Sequence, residues 1–338
     1  MSRSTDAVWL TVQDAGAVGT VRRAAVALGD ELGLPAQRVA NLAIVAAEMA
    51  SNLYKHTTDG VALVHAVRRR GVGGVEIVAI DKGPGMRDLS ASVVDGESTV
   101  GTLGIGLGAI RRQSSEYDAY SRSGSGTVVA ATVWANGVAP PDLAGFAARG
   151  IVRPMSGQEV SGDGYGIRAT GAGNLQVMLC DGLGHGPLAA AAAQAAEAEF
   201  REAPEVGPKD LLDHIHRRLG HTRGAVVTVV EIDRQHDRLR FAGVGNVAGS
   251  IVDGGQRRML LAQPGIAGHA RPRVREIEMP CPRGAILVLH TDGVVDRWSL
   301  SEQPGLADRS PVVVAASILR DAGTRHDDAA VLVAKRVT

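Results

Sequence analysis

Aromatic side chains are scarce: three Phe, four Tyr and three Trp make up 3% of 338 residues. A core made almost without rings must rest on small aliphatics, and an apolar content of 45% is enough for an ordinary globular interior. Cysteine is nearly absent too. Cys180 and Cys281 stand far apart, which excludes a disulfide framework and a zinc spacing and fits a reducing cytoplasm. No excess charge of one sign exists, since Lys+Arg and Asp+Glu both number 36 and neither forms a long run. A nucleic-acid footprint and a polybasic membrane anchor are therefore not expected. No apolar run approaches the roughly 18 residues that would span a bilayer. Asp6, Gln13 and Asp14 interrupt the N-terminus before an export signal can develop. The reading is a cytoplasmic protein, with neither nucleic acid nor membrane as a partner.

What the chain does have is length and glycine. At about 150 residues per domain, two domains are expected. The passage Asn136-Gly137-Val138-Ala139-Pro140-Pro141 follows a strand-like run over 127–134, and Pro-Pro continues neither a ladder nor a helix. The expected division is a first domain over 1–137, a linker over 138–149 and a second domain over 150–338. Before the linker, helical periodicity covers 17–32 and 35–56 and β-branched runs cover 61–67 and 75–80, an α+β pattern. After it, short strands are expected over 165–169, 175–180, 225–232, 239–242, 247–252, 285–290 and 330–334, with helices over 188–200, 208–219 and 311–320. That half reads as a β-rich sandwich carrying helices.

In the segment 41–56, Leu42, Val45, Met49 and Leu53 fall on one helical stripe, while Glu48, Asn52 and His56 form a polar stripe beside it. Charges beside the core stripe suit a pocket wall or a solvated rim. Asp81-Lys82-Gly83-Pro84-Gly85 follows the run 75–80: a strand-end carboxylate can accept from an exocyclic amine, and glycines let backbone approach a flat ring, although the same pattern makes a turn. Gly101, Gly104, Gly106 and Gly108 then run into a helical segment whose free N–H groups suit phosphate oxygens. The loop is neither a Walker A motif nor a dinucleotide fingerprint.

The order of these features, closed by Gly124-Ser125-Gly126-Thr127, resembles the Bergerat-fold ATP-binding domain of the GHKL group. Asp95-Gly96-Glu97-Ser98-Thr99 followed by Leu103-Gly104-Ile105-Gly106-Leu107-Gly108 is similar to the RsbT-type serine kinases of bacterial stress signalling. The resemblance implies an α/β sandwich that binds ATP with Mg²⁺. Asn52 would hold Mg²⁺, Asp81 would take the adenine amine with Gly83, Gly85 and Thr127 around it, and Gly104, Gly106 and Gly108 would wrap the phosphates. Glu48 is the expected general base, one helical turn from Asn52.

The second half repeats Asp beside Gly at strand ends. Six Asp-Gly pairs occur in the chain, and any one alone is a turn signal. Context separates Asp163, which opens a hairpin turning at Gly171-Ala172-Gly173-Asn174, and Asp181 and Asp292, which each follow an apolar strand; Asp327-Asp328 precedes the last apolar run. Carboxylates at strand ends can converge on hard divalent cations and their waters. Their order resembles the SpoIIE/RsbX-like branch of PPM-type serine/threonine phosphatases. That resemblance implies an α-β-β-α sandwich with two Mn²⁺ or Mg²⁺, held by Asp163, Asp181, the Gly182 carbonyl, Asp292 and Asp327 with Asp328 adjacent. Family members commonly follow the Asp-Asp pair with Met-Thr; Ala329-Ala330 stands there instead.

His214 and His216 lie two apart on a helix and face different ways, so surface or packing roles are expected of them; Cys180 is expected as a core thiol pointing away from Asp181. His290 shares strand parity with Asp292, and contact with a phosphate is the less expected of its roles. Together the resemblances imply a bifunctional signalling enzyme. It would join an ATP-dependent kinase of STAS-domain antagonist proteins (RsbS/RsbR-like) to a phosphatase acting on phosphorylated forms, in sigma-factor partner switching. The alternative is a catalytically silent ATP-binding module that is itself an anti-sigma or docking unit, with a sigma-factor regulatory protein as partner, and controls the phosphatase. A gyrase- or chaperone-type ATPase ranks below both.

Overall fold

A computed structural model describes residues 7–87, 106–269 and 274–337. The chain separates into two compact units, Met1–Pro141 with Asp308–Arg320, and Asp142–Ala307 with Asp321–Thr338.

The first unit contains β1 (Ala7–Val12), α1 (Ala15–Glu31), α2 (Ala36–His56), β2 (Gly60–Arg69), β3 (Val72–Ile80), α3 (Gly106–Gln113), β4 (Glu116–Ser121) and β5 (Thr127–Trp134). Helix α1 starts where the Asp14 carboxylate accepts the Ala17 amide at 2.9 Å, satisfying one orphan donor of the first turn. Pro35, which has no N–H to lose, precedes α2. The strands form one antiparallel sheet in the order β1-β2-β3-β5-β4. The α2 stripe Leu42, Val45, Met49 and Leu53 is buried in one cluster with Val64, Ile77, Ala131 and Val133 of the sheet. A polar line crosses three strands: Glu76 pairs with His65 at 2.9 Å and accepts from Thr132 Oγ1 at 2.9 Å. A one-residue slip would leave that buried carboxylate unpaired, so the line fixes the register.

The second unit contains β6 (Phe146–Arg153), β7 (Asp163–Ala169), β8 (Leu175–Gly182), α4 (Pro187–Glu202), α5 (Pro208–Arg218), β9 (Ala225–Ile232), β10 (Arg238–Val244), β11 (Ala248–Asp253), β12 (Gln256–Leu260), β13 (Ile277–Pro280), β14 (Ile286–His290) and β15 (Ala329–Arg336). Two antiparallel sheets, ordered β13-β10-β9-β8-β7 and β12-β11-β14-β15-β6, face each other. Leu175, Val177, Val230 and Phe241 of the first meet Phe146, Ile251, Leu287 and Leu332 of the second in a single core. Helix α4 packs on β7 and β8, and α5 on β9 and β10. Strand β6 begins inside the segment expected as linker and pairs with β15 from Phe146↔Arg336 to Arg153↔Ala329.

Helix α6 (Pro311–Ala322) lies between β14 and β15 in the chain, yet residues 308–320 group with the first unit. There the Ser310 amide donates to Asp118 Oδ2 at 2.5 Å, and Arg309 lies 3.5 Å from the same carboxylate. Among the described residues, no helix is long and apolar enough to cross a membrane.

Candidate functional site

Each unit gathers its own set of sequence-expected residues. In the first, Glu48 and Asn52 lie one turn apart on α2 and are half-buried. Gly106 opens α3 against both: a Cβ there would stand 3.3 Å from Asn52 Oδ1 and 3.5 Å from Glu48 Oε2. The glycine thus brings a helix start beside an amide and a carboxylate. Gly108 is buried within the same helix. His56 is exposed at the end of α2. Gly104 and the loop 95–102 lie outside the described residues.

Asp81 sits at the end of β3, where its Oδ1 accepts the Gly83 amide at 2.7 Å and the Thr127 amide at 3.3 Å. Its backbone pairs with Thr127 in both directions, and Thr127 Oγ1 meets Ser121 Oγ at 2.9 Å. Burial pushes the Asp81 carboxyl above its ordinary range, and the two amides pull it back toward ionisation. Gly85 and Gly126 have positive φ, and a Cβ on either would stand 2.0 Å from a carbonyl oxygen, of Arg122 and Asp81 respectively. No side chain fits there. The segments 81–86 and 122–127 therefore close on each other by backbone contact, leaving an aspartate at the rim beside a hydroxyl.

In the second unit, Asp163 and Asp181 are registered partners on β7 and β8, at the end of the hairpin remote from its turn. Asp163 is almost completely buried and Asp181 partly so; Asp292 and Asp327 are exposed. Burial, then the Asp181 charge, raises the Asp163 carboxyl well above the usual carboxylate range, and Asp328 and Asp292 add to it. Asp181 is pushed up to about 7, first by burial and then by Asp292, Asp327 and Asp328. Asp327 is raised as well, by burial first and then by Asp292 and Asp328, against the pull of the Asp328 amide. These shifts record carboxylates close enough to repel one another.

A Cβ at Gly162 would lie 3.2 Å from Asp328 Oδ2 and 3.4 Å from the Gly182 carbonyl, so those two oxygens flank one point. Asp328 is itself committed to backbone: Oδ1 accepts the Met155 amide and Oδ2 the Gly162 amide, both at 2.7 Å. Among the described residues, no three His, Cys, Asp or Glu side chains already close around one cation position. The donors are all hard oxygens, they carry no matching cationic side chain in the contacts above, and they fit a divalent cation of the Mg²⁺ or Mn²⁺ type.

The residues given lesser roles behave differently. His214 pairs with Glu199 at 2.9 Å, and His216 accepts the Gly268 amide at 3.1 Å. His290 is buried, its Nδ1 3.0 Å from the Thr291 carbonyl and its Nε2 3.3 Å from Asp296. Burial holds its imidazole below the ordinary value. The Cys180 thiol is buried against the Gly164 carbonyl at 3.3 Å. Sequence reasoning missed two neighbours of the carboxylates: Thr291 Oγ1 donates to Asp163 Oδ2 at 2.7 Å, and Asn246 Nδ2 donates to Asp292 Oδ2 at 2.9 Å. Only their place next to a strand end marked them, and that signal is too common to single them out.

Comparison with known proteins matches two separate stretches of the chain. Residues 11–133 match the family described as Histidine kinase-like ATPase domain, and residues 171–337 the family described as Stage II sporulation protein E (SpoIIE). The serine/threonine-protein kinase RsbT of Bacillus subtilis (strain 168) is 36% identical over 104 residues, 31% of this chain and 78% of that protein. A solved structure described as "The bacterial stressosome: a modular system that has been adapted to control secondary messenger signaling" is 28% identical with a TM-score of 0.52, covering 56% of this chain and 99% of its own. The PP2C phosphatase domain with a regulatory fragment of SpoIIE from Bacillus subtilis is 18% identical with a TM-score of 0.49, over 80% and 81% of the two chains. The chain belongs to the histidine kinase-like ATPase family through an RsbT-like N-terminal domain, and its residues 171–337 match the SpoIIE family C-terminal to it.

Proposed function

We propose that the protein is a bifunctional regulator that phosphorylates a serine of a STAS-domain antagonist protein (RsbS/RsbR-like) with ATP and Mg²⁺, and hydrolyses phosphoserine or phosphothreonine on phosphorylated forms of such proteins with two Mn²⁺ or Mg²⁺. The 36% identity to a serine/threonine-protein kinase supports the first activity, and the likeness to a stressosome structure supports the partner class. The observation that carries the reading is the pairing in one chain of Gly106 against Glu48 and Asn52 with strand-end aspartates, Asp163 and Asp181, set in register on adjacent strands.

In the first unit, Asp81 and Thr127 would orient the adenine, the α3 start at Gly106 would receive phosphate oxygens, and Asn52 would hold the magnesium that arrives with ATP. Glu48 takes the proton of the substrate hydroxyl as its oxygen bonds to the γ-phosphorus. The bond to the β–γ bridging oxygen breaks, and ADP leaves. In the second unit, Asp163, Asp181, Asp292, Asp327 and the Gly182 carbonyl would hold the cations, with Asp328 fixing the adjacent backbone. A divalent pair there would supply charge neutralisation on phosphoryl oxygens and a lowered pKa for the attacking water. The water oxygen bonds to phosphorus, and the serine oxygen leaves with a proton. The two activities acting together on one serine would only consume ATP, so a partner switches between them or they address different sites.

The test is incubation of the purified chain with labelled ATP, Mg²⁺ and a STAS-domain protein, followed by addition of Mn²⁺, with phosphoserine quantified by mass spectrometry. Asp292→Asn accumulates phosphoserine that persists after Mn²⁺; Glu48→Ala binds ATP and forms none. Phosphoserine formed by Glu48→Ala at the parent rate, or removed by Asp292→Asn as fast as by the parent, contradicts the assignments.

A further inference from the structure

We infer that Thr291 and Asn246 are positioning residues of the phosphatase centre, two neutral donors that hold its carboxylates reciprocally across the sandwich. The inference rests on the metal-site reading above. Asp163 belongs to the sheet of β7 to β10, and its Oδ2 is held by Thr291, which follows β14 of the opposite sheet. Asp292 follows the same β14, and its Oδ2 is held by Asn246, which follows β10 of the first sheet. Each sheet thus fixes the carboxylate presented by the other.

The Ala330 amide occupies one acceptor site of Thr291 Oγ1 at 2.9 Å, and an ionised Asp163 carboxylate can only accept, so in that state the hydroxyl proton points at Asp163 Oδ2. Thr291 and Asp163 are both 1% exposed, and water does not compete. The hydroxyl therefore engages Oδ2 and leaves Oδ1 to turn toward the other acids. Asn246 does the same for Asp292 on the exposed side, where only its amide N–H₂ can face a carboxylate. Neutrality matters here. An arginine or lysine at either place would orient the acid equally well but would cancel the negative charge that a divalent cation requires.

The experiment is calorimetric titration of the full chain with MnCl₂, together with the Mn²⁺ concentration giving half-maximal phosphatase activity, for Thr291→Val, Thr291→Ser, Asn246→Ala and, as reference, Asp181→Asn. Loss of an outer-shell donor of this kind is expected to weaken Mn²⁺ binding by about 10- to 100-fold in Thr291→Val and Asn246→Ala. Thr291→Ser, which keeps the hydroxyl, restores near-parent affinity, a rescue that a packing role alone would not give. ATP binding, which reports on the other unit, stays unchanged in all four. If Thr291→Val does not fold, the exposed Asn246→Ala carries the test. Parent-like Mn²⁺ affinity in folded Thr291→Val or Asn246→Ala overturns the inference while Asp181→Asn still loses binding. If Asp181→Asn also binds as the parent does, the metal-site reading itself fails.

Discussion

Removing the Asp181 carboxylate should make the metal-free protein more stable. Asp181 is pushed up to about 7, first by burial and then by Asp292, Asp327 and Asp328, so in the absence of a cation its ionisation works against folding. The unfolded chain ionises near the ordinary aspartate value of 3.8. The native state holds the proton more tightly than the unfolded state, so the advantage is complete below about pH 4 and is lost as pH rises through about 7. At roughly 1.4 kcal/mol per pH unit of separation the ceiling is about 4 kcal/mol. Because the acids titrate as a group and can swing into solvent, about 2 kcal/mol is the expected effect at pH 8. At about 2–4 °C per kcal/mol for a unit of this size, Asp181→Asn should melt about 4–8 °C above the parent in EDTA at pH 8. The gap should close near pH 4, and added Mn²⁺ should stabilise the parent alone. Differential scanning calorimetry separates the transitions of the two units. A variant that melts below the parent in EDTA at pH 8, or that gains as much from Mn²⁺, refutes the electrostatic account of this centre.

Other consequences are local. Gly126→Ala places a Cβ 2.0 Å from the Asp81 carbonyl at positive φ, and should cost about 2 kcal/mol or more and at least about tenfold in ATP affinity by fluorescent-nucleotide titration. Gly124→Ala, also at positive φ but with nothing within 4 Å, should cost only about 1 kcal/mol, measured by the same melt. Asp328→Ala leaves the Met155 and Gly162 amides without their acceptor and should lower the melting temperature by about 6–12 °C, for a loss of about 3 kcal/mol. Asp327→Ala, which removes an exposed carboxylate, should change metal-free melting little while weakening Mn²⁺ binding.

What the sequence revealed divides along the sheets. The interior strands β2, β3, β5, β8, β9, β10, β11, β14 and β15 were each foreseen in position, because burial on both faces writes long β-branched and apolar runs such as 225–232. The strands that escaped, β1, β4, β6, β12 and β13, are all edges. An edge strand pairs on one side only and tolerates charge, so Glu116–Ser121 and Gln256–Leu260 carry no alternation to read. Strand β6 was further hidden by the Pro-Pro passage just before it. The grouping of residues 308–320 with the first unit was likewise invisible, since helical periodicity tells which face is buried and not what covers it. The spacing Glu48 to Asn52 sets those residues on one helical stripe, and of the Asp-Gly strand ends Asp163 and Asp181 lie in register on β7 and β8. Thr291 and Asn246 act through single hydrogen bonds between distant segments, which no periodicity encodes.

The most direct measurement is anomalous diffraction at the manganese edge from crystals grown with MnCl₂ and a non-hydrolysable ATP analogue. The account predicts peaks about 2.0–2.4 Å from oxygens of Asp163, Asp181, Asp292, Asp327 and Gly182, and a further peak bridging Asn52 and the analogue's phosphates. Manganese bound elsewhere, with those aspartates turned to solvent, would contradict it.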